Sequence, residues 1–250
     1  MSRTSPIATM RSIGKTFENG LVALDDISLD LHDGERLGLL GASGCGKSTV
    51  LRILAGLDQP TSGDVDIPAH GRESLSYVFQ SPTLLPWKTV FNNVLMPLQL
   101  RGDNNEAAHR DVEAILERVE LSEFHDAYPN QLSGGMQMRV SIARALVTKP
   151  TLLLMDEPFA ALDEITRFRL NDLLLEQQAR ESCALLFVTH SVFESVYLCD
   201  RVAVMSPRPG RVVEIVDTST DMERNSDYRT SKAYVDACAR VSAALHSAMR

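Results

Sequence analysis

Short, almost wholly apolar runs alternate along this chain with longer segments whose apolar residues recur at helical spacing. Residues 36–40, 151–155 and 184–188 are apolar at nearly every position and too short for buried helices, which predicts strands covered on both faces. Residues 7–13 alternate loosely and read as an edge strand. Residues 22–31 contain a second strand, with apolar and polar positions alternating over 27–31. Residues 64–67 and 75–79 are further strand candidates. Residues 201–205 and 211–216 read as two strands joined by the hairpin-type turn Pro207-Arg208-Pro209-Gly210.

Helical spacing appears over 50–56, and over 90–100, where Pro97 is expected to break the helix. Ala108, Val112, Ile115, Leu116 and Val119 form one stripe within 105–119. Met136, Val140, Ala143, Leu146 and Val147 do the same behind Ser133-Gly134-Gly135. Helices are also predicted over 163–181, 191–198 and 231–249, the last carrying Val235, Cys238, Val241 and Leu245. Residues 121–128 read as a short helix or turn, 58–63 and 81–87 as loops, and 217–229 as irregular.

Strand–helix–strand order with buried strands predicts an α/β fold around a mostly parallel sheet. Residues 81–148 hold helices and no convincing strand, so they read as a helical insertion. The organisation expected is one domain over 1–250: a core of 1–80 and 149–220, a helical part at 81–148 and a helical tail at 221–250. No internal repeat or low-complexity tract interrupts it.

Composition narrows the function. Hydrophobic residues make up 44% of the 250, enough for a buried core. The formal charge of −8, from 25 basic and 33 acidic residues, argues against a protein that coats nucleic acid. The cysteines Cys45, Cys183, Cys199 and Cys238 are scattered and form no CxxC pair, so neither a zinc site nor a disulfide framework is indicated. The N-terminal Met1-Ser2-Arg3-Thr4-Ser5-Pro6 has no apolar stretch behind it and does not read as a signal peptide. No apolar run approaches the ~18 residues that span a bilayer. A cytoplasmic chain is expected, docking on a membrane only through a partner.

The chemistry centres on Gly41-Ala42-Ser43-Gly44-Cys45-Gly46-Lys47-Ser48-Thr49, which fits the phosphate-binding pattern GxxxxGK[ST] between a predicted strand and a predicted helix. Glycines allow backbone N–H groups to turn inward as a nest, and the helix directs its positive end at the same place. Lys47 supplies a charge for β- and γ-phosphates and Ser48 a hydroxyl for Mg²⁺. Further on, the apolar run 152–155 ends in Asp156-Glu157. Behind a phosphate loop, Asp156 is suited to the Mg²⁺ shell and Glu157 to orienting or deprotonating water. Ser133-Gly134-Gly135 is a second glycine-rich helix start; two glycines are costly for capping alone, and suit a backbone that something must approach closely.

The order of GASGCGKST, Gln80, LSGGM, LLLMDEP, Ala161-Leu162-Asp163 and His190 resembles the ATP-binding subunit of ABC transporters over about residues 7–216. The resemblance implies a P-loop NTPase, RecA-like core with an antiparallel β subdomain and an inserted helical subdomain. It implies that Phe17 stacks on adenine, where the family more often has tyrosine, and that residues 41–49 wrap the phosphates of ATP. Gln80 would stand near Mg²⁺ and the attacking water. Ser133, Gly134 and Gly135 would grip the γ-phosphate of ATP held by a second subunit. Asp163 would link the two sites, and His190 would contact the γ-phosphate and hold Glu157. Met136 departs from the family's usual glutamine; the LSGGM form, with Leu84-Leu85-Pro86-Trp87, is similar to the nitrate/sulfonate/taurine importer branch. The partners implied are a second copy, a membrane permease and a periplasmic or extracellular solute-binding protein. The chain would lie on the cytoplasmic side of the inner membrane, and no large C-terminal regulatory domain is expected. The competing reading is an ABC-type ATPase acting on nucleic acid or the ribosome; long coiled coils, paired cassettes and zinc-binding cysteines, which would favour it, are not in the sequence.

Overall fold

The computed structural model describes residues 6–69, 71, 74–160 and 162–249. Residues 1–5 of the N-terminal stretch considered above, Ala161, and Arg250 at the end of the tail lie outside the described residues. Among the described residues nine strands form two sheets: β1 (Pro6–Thr16), β2 (Val22–His32), β3 (Arg36–Leu40), β4 (Ser62–Asp66), β5 (Leu75–Val78), β6 (Leu152–Asp156), β7 (Ala184–Thr189), β8 (Arg201–Met205) and β9 (Val212–Asp217). Eight α-helices are described: α1 (Lys47–Leu54), α2 (Val90–Leu100), α3 (Glu106–Arg118), α4 (Gly134–Leu146), α5 (Glu164–Glu181), α6 (Val192–Leu198), α7 (Ser226–Thr230) and α8 (Lys232–Ala248).

The larger sheet has the order β5-β6-β7-β3-β8-β9 and is parallel except for β9. β6 and β7 are buried at every position, which is why the sequence shows unbroken apolar runs there instead of alternation. Alternate residues serve two separate cores. Leu37, Leu39, Leu152, Leu154, Leu186 and Val188 face α1 and the small antiparallel sheet, order β2-β1-β4. Leu153, Met155, Leu185, Phe187, Val202 and Val204 face the helical side.

Three expectations need correction. β1 is the middle strand of its sheet, paired with both β2 and β4, and not an edge. Irregular register around residues 11–13, with Ser12 at φ 48°, resets the alternation so that Met10 and Ile13 are both buried; this bulge made the pattern look loose. Pro97 does not break its helix but sits inside α2. Its lost bond and ring clash cost about 3 kcal/mol, whereas burying Val94, Leu95 and Leu98 around it contributes roughly 1.5–3 kcal/mol each. Finally, residues 217–229 are not wholly irregular, since they supply the end of β9 and most of α7.

That last segment is organised by a buried cation. Arg224 donates to the carbonyls of Val196 (2.8 Å), Tyr197 (2.6 Å) and Thr218 (3.1 Å), and to Asp200 Oδ1 at 3.2 Å. Asp200 in turn accepts from Arg36 at 2.6 Å, so the tail, α6 and the start of β3 share one network. Arg224→Met is expected to lower the unfolding free energy by about 2 kcal/mol, because the carbonyls and Asp200 lose a shared donor in a partly buried site. Urea denaturation followed by far-UV circular dichroism measures it.

Candidate functional site

Four parallel strands of the large sheet deliver their C-terminal ends to one edge. β3 leads into Gly41, β5 toward Gln80, β6 into Glu157 and β7 into His190. The crevice beyond the carboxyl ends of such strands is where open α/β sheets bind ligands, and here it gathers residues scattered through the sequence.

The loop after β3 is shaped by contacts that exclude larger residues. Gly46 has φ 109°, and a Cβ there would lie 2.5 Å from Leu24 Cδ2 and 3.1 Å from the Ala23 carbonyl. Gly46 is also the N-cap of α1 and offers no side-chain cap. Every other α-helix named above has one: Thr89, Asn105, Ser133, Asp163, Ser191, Asn225 and Ser231 each accept a bond from the first turn. The first N–H groups of α1 therefore remain available to an anion, reinforced by the helix dipole.

Around them lies a polar constellation. Lys47 is buried, and its Nζ donates to the carbonyls of Gly41 (2.9 Å) and Ala42 (3.0 Å) while standing 3.5 Å from Glu157 Oε1. Ser48 Oγ donates to Asp156 Oδ1 at 2.9 Å, and the Tyr77 hydroxyl approaches Asp156 Oδ2 at 3.5 Å. Burial pushes the Asp156 carboxyl above its ordinary pKa; the Ser48 bond and Lys47 pull it back, and Glu157 adds to the rise. A carboxylate disfavoured as an anion gains from a neighbouring cation. The oxygen pair of Ser48 and Asp156 is the hard donor set that suits Mg²⁺, which takes one or two protein ligands alongside phosphate and water. Glu157 is itself strained, at φ 45°, with its N–H held by the Val188 carbonyl at 3.0 Å. Its Oε2 lies 3.2 Å from His190 Nδ1, so Lys47 and His190 bracket one carboxylate.

These groups open into a cleft of about 280 Å³ lined by Ser43, Gly44, Gly46, Lys47, Ser48, Thr49, Gln80 and Glu157. Phe17, exposed and with Lys15 Nζ 5.4 Å from its ring centroid, closes one side with Leu21 and Ala23. Gly41 and Cys45 belong to the loop but not to the lining. They pack together, a Cβ on Gly41 lying 2.8 Å from Cys45 Sγ, and burial holds the Cys45 thiol above its usual pKa. Ser133, Gly134, Gly135 and Asp163 do not line the cleft. Ser133 and Asp163 are exposed N-caps, accepting from Met136 N (3.2 Å) and Thr166 N (2.9 Å), and the latter bond lowers the Asp163 carboxyl pKa. Sequence reasoning missed Tyr77 beside Asp156, and missed Arg208, which lines the cleft from the β8–β9 turn.

The chain is similar to known proteins in sequence and in fold. The ABC transporter family model matches residues 24–160, more than half of the chain. An aliphatic sulfonates import ATP-binding protein, SsuB 1 of Pseudomonas savastanoi pv. phaseolicola, is 49% identical over 197 residues, covering 78% of this chain and 79% of that protein. An ABC transporter ATP-binding protein of Methanocaldococcus jannaschii is 46% identical over 235 residues, covering 91% and 86%. Among solved structures, a dimeric ATP-binding cassette in a post-hydrolysis state with ADP and Pi superposes with a TM-score of 0.78 at 30% identity, covering 85% of this chain and 99% of that one. With a phosphate loop, an acid pair and a histidine gathered at one sheet edge, and with these relatives, the chain belongs to the ABC transporter family as an ATP-binding, ATP-hydrolysing domain.

Proposed function

We propose that this ATPase works as a pair of identical chains, head to tail, and energises import of a small sulfonate-type solute through a membrane permease. Each site would join the phosphate loop of one chain to Ser133, Gly134 and Gly135 of the other. One observation carries this. The cleft collects Lys47, Ser48, Glu157 and, through Glu157, His190, yet the second glycine-rich helix start stands apart from it. A Cβ on Gly134 would meet nothing of its own chain within 4 Å, so internal packing does not require a glycine there. A phosphate approaching from a partner supplies the reason for one. The dimeric cassette bound to ADP and Pi supports pairing.

Within a site, the residues divide the work. Lys47 and the open N–H groups of α1 hold the β- and γ-phosphates. Gln80, on the cleft rim, and Glu157 orient the attacking water; Glu157 accepts its proton, and His190 keeps that carboxylate in place. Ser48 and Asp156 would hold Mg²⁺, which neutralises charge on the phosphate oxygens when bound. Phe17 offers adenine an aromatic face. Asp163, at the start of α5, would connect one site to the other.

Permease docking is assigned to residues 81–100. The loop there is held from inside: buried Asn93 bonds Leu85 N (2.8 Å) and the carbonyls of Leu85, Lys88 and Thr89, and Arg144 of α4 bonds the Pro82 and Thr83 carbonyls at 3.0 Å. Of the two aromatics in this stretch, Trp87 stands 71% exposed on the rigid loop, a large aromatic offered outward, whereas Phe91 is buried. Trp87→Ala is expected to weaken association with the permease at least tenfold while basal ATPase of the isolated chain stays unchanged.

The name of the sulfonate importer supports the solute class, and a solute-binding protein would deliver that solute from outside. Among the described residues no helix is long and apolar enough to cross a membrane, so attachment to the cytoplasmic face would run through the permease. The deciding experiment is ATPase activity of the reconstituted complex with alkanesulfonate, taurine or nitrate. Stimulation by an alkanesulfonate or taurine is expected. Stimulation by RNA or DNA instead, without a permease requirement, would favour the nucleic-acid reading.

A further inference from the structure

The turn between β8 and β9 is built onto the phosphate loop. Gly210 lies so close that a Cβ on it would collide with the Cys45 carbonyl oxygen. Its N–H bonds the Ala23 carbonyl at 2.9 Å and its carbonyl accepts from Asp25 N at 3.0 Å, which fixes the turn against the strand beneath the cleft. Met205, at the end of β8, closes on Gly41: a Cβ there would lie 3.1 Å from Met205 Cβ.

From this fixed turn Arg208 reaches the loop. Its Nη2 and Nε donate to the Gly44 carbonyl at 2.9 and 3.2 Å. Arg208 is exposed and lines the same cleft as Lys47 and Ser48. Its neighbour Arg211 is committed to Asp25. Among the described residues no carboxylate pairs with Arg208, so its charge is uncompensated.

The bond falls where it has most effect. Gly44 has φ 75°, a conformation glycine enters and leaves easily, and its carbonyl belongs to the peptide whose N–H, on Cys45, bonds Ala42 O at 3.3 Å. A rigid guanidinium fork on that oxygen fixes the peptide plane at the crest of the loop. The N–H groups that follow then keep their inward orientation before a nucleotide arrives, which removes part of the ordering cost of binding. The charge adds to that of Lys47 on the phosphate side.

We infer that Arg208 is a positioning residue of the nucleotide site, which holds the Gly44 carbonyl so that the phosphate loop is pre-shaped for the polyphosphate. It raises affinity for nucleotide phosphates and takes no part in hydrolysis. The inference rests on reading the cleft as the ATP site. Nothing in the turn's sequence pattern beyond an arginine between two prolines announces it.

The test uses the full chain and three variants, Arg208→Ala, Arg208→Lys and Lys47→Ala, each titrated with ATP, ADP and adenosine and assayed for KM and kcat. Arg208→Ala is expected to weaken ATP and ADP about tenfold, the scale of one charge-assisted bond. Adenosine binding should be unchanged, KM should rise with Kd, and kcat should stay within about twofold. Arg208→Lys keeps the charge without the fork and should recover only part of the loss. Thermal melting should show both Arg208 variants folded, since Arg208 is exposed. Unchanged ATP and ADP affinity in Arg208→Ala, with Lys47→Ala defective, overturns the role of Arg208 alone. An equal loss for adenosine overturns it too, showing a general disturbance of the cleft. Full affinity in Lys47→Ala overturns the reading of the cleft, and the inference with it.

Discussion

Glu157→Gln binds ATP as tightly as the unaltered chain and hydrolyses it at least a hundredfold more slowly. The amide keeps the size of the side chain, so the packing between Lys47 Nζ and His190 Nδ1 survives. What disappears with the carboxylate's charge is its capacity to accept a proton from water, the role proposed for it, and removal of a positioned base costs 10²–10⁴-fold. Affinity does not fall, because the change also removes a negative charge from beside the γ-phosphate. Two copies with ATP between them should then accumulate, visible as a dimer by light scattering in ATP and a monomer in ADP. Rapid turnover by this variant removes Glu157 from the proposed role and passes the base to another group.

Ser133→Arg has the second large effect, and a different signature. ATP hydrolysis falls at least a hundredfold and the ATP-dependent dimer does not form, yet the single chain binds ATP with Kd within about twofold of the unaltered value. The arginine fills the surface that a partner's phosphate would occupy, on the exposed side of the α4 start. Loss of the Ser133 cap, which accepts from Met136 N at 3.2 Å, costs only about 1 kcal/mol, so folding is retained. Loss of ATP binding by the monomer would show that Ser133 contributes to its own chain's cleft and that the division of the site is wrong. The pair of variants separates chemistry from assembly: Glu157→Gln traps the dimer, Ser133→Arg prevents it.

The parts of this molecule that were legible in sequence share a property: their meaning is local. An apolar strand, a glycine-rich loop and an apolar-striped helix placed residues 36–54 without tertiary information, and the acid pair at the end of β6 followed from the same logic. Tertiary context decided the rest. Ser12 enters a positive φ only because β1 is paired on both edges and bulges between its neighbours. Pro97 stays helical because of what lies around it, not because of what precedes it. Arg224 turns a polar, breaker-like segment into an ordered one by serving carbonyls of α6. Arg208 acquires its place in the cleft from Gly44, 164 positions earlier in the chain. No window of sequence contains both. Tyr77 likewise meets Asp156 only because β5 and β6 are adjacent in the sheet.

The central claim, that each ATP site is shared between two copies, is tested most directly by mixing two inactive variants. Lys47→Ala destroys the phosphate loop and leaves Ser133 intact; Ser133→Arg does the reverse. A mixed dimer then contains one site with both defects and one with neither. At equal mixing, random pairing with one intact site of two sets a ceiling of about a quarter of the unaltered rate; ATPase activity should rise clearly above that of either variant but stay below this ceiling, because Ser133→Arg disfavours closure of the doubly defective site. If the mixture is as inactive as its components, each chain builds its site alone, and the shared-site account is wrong.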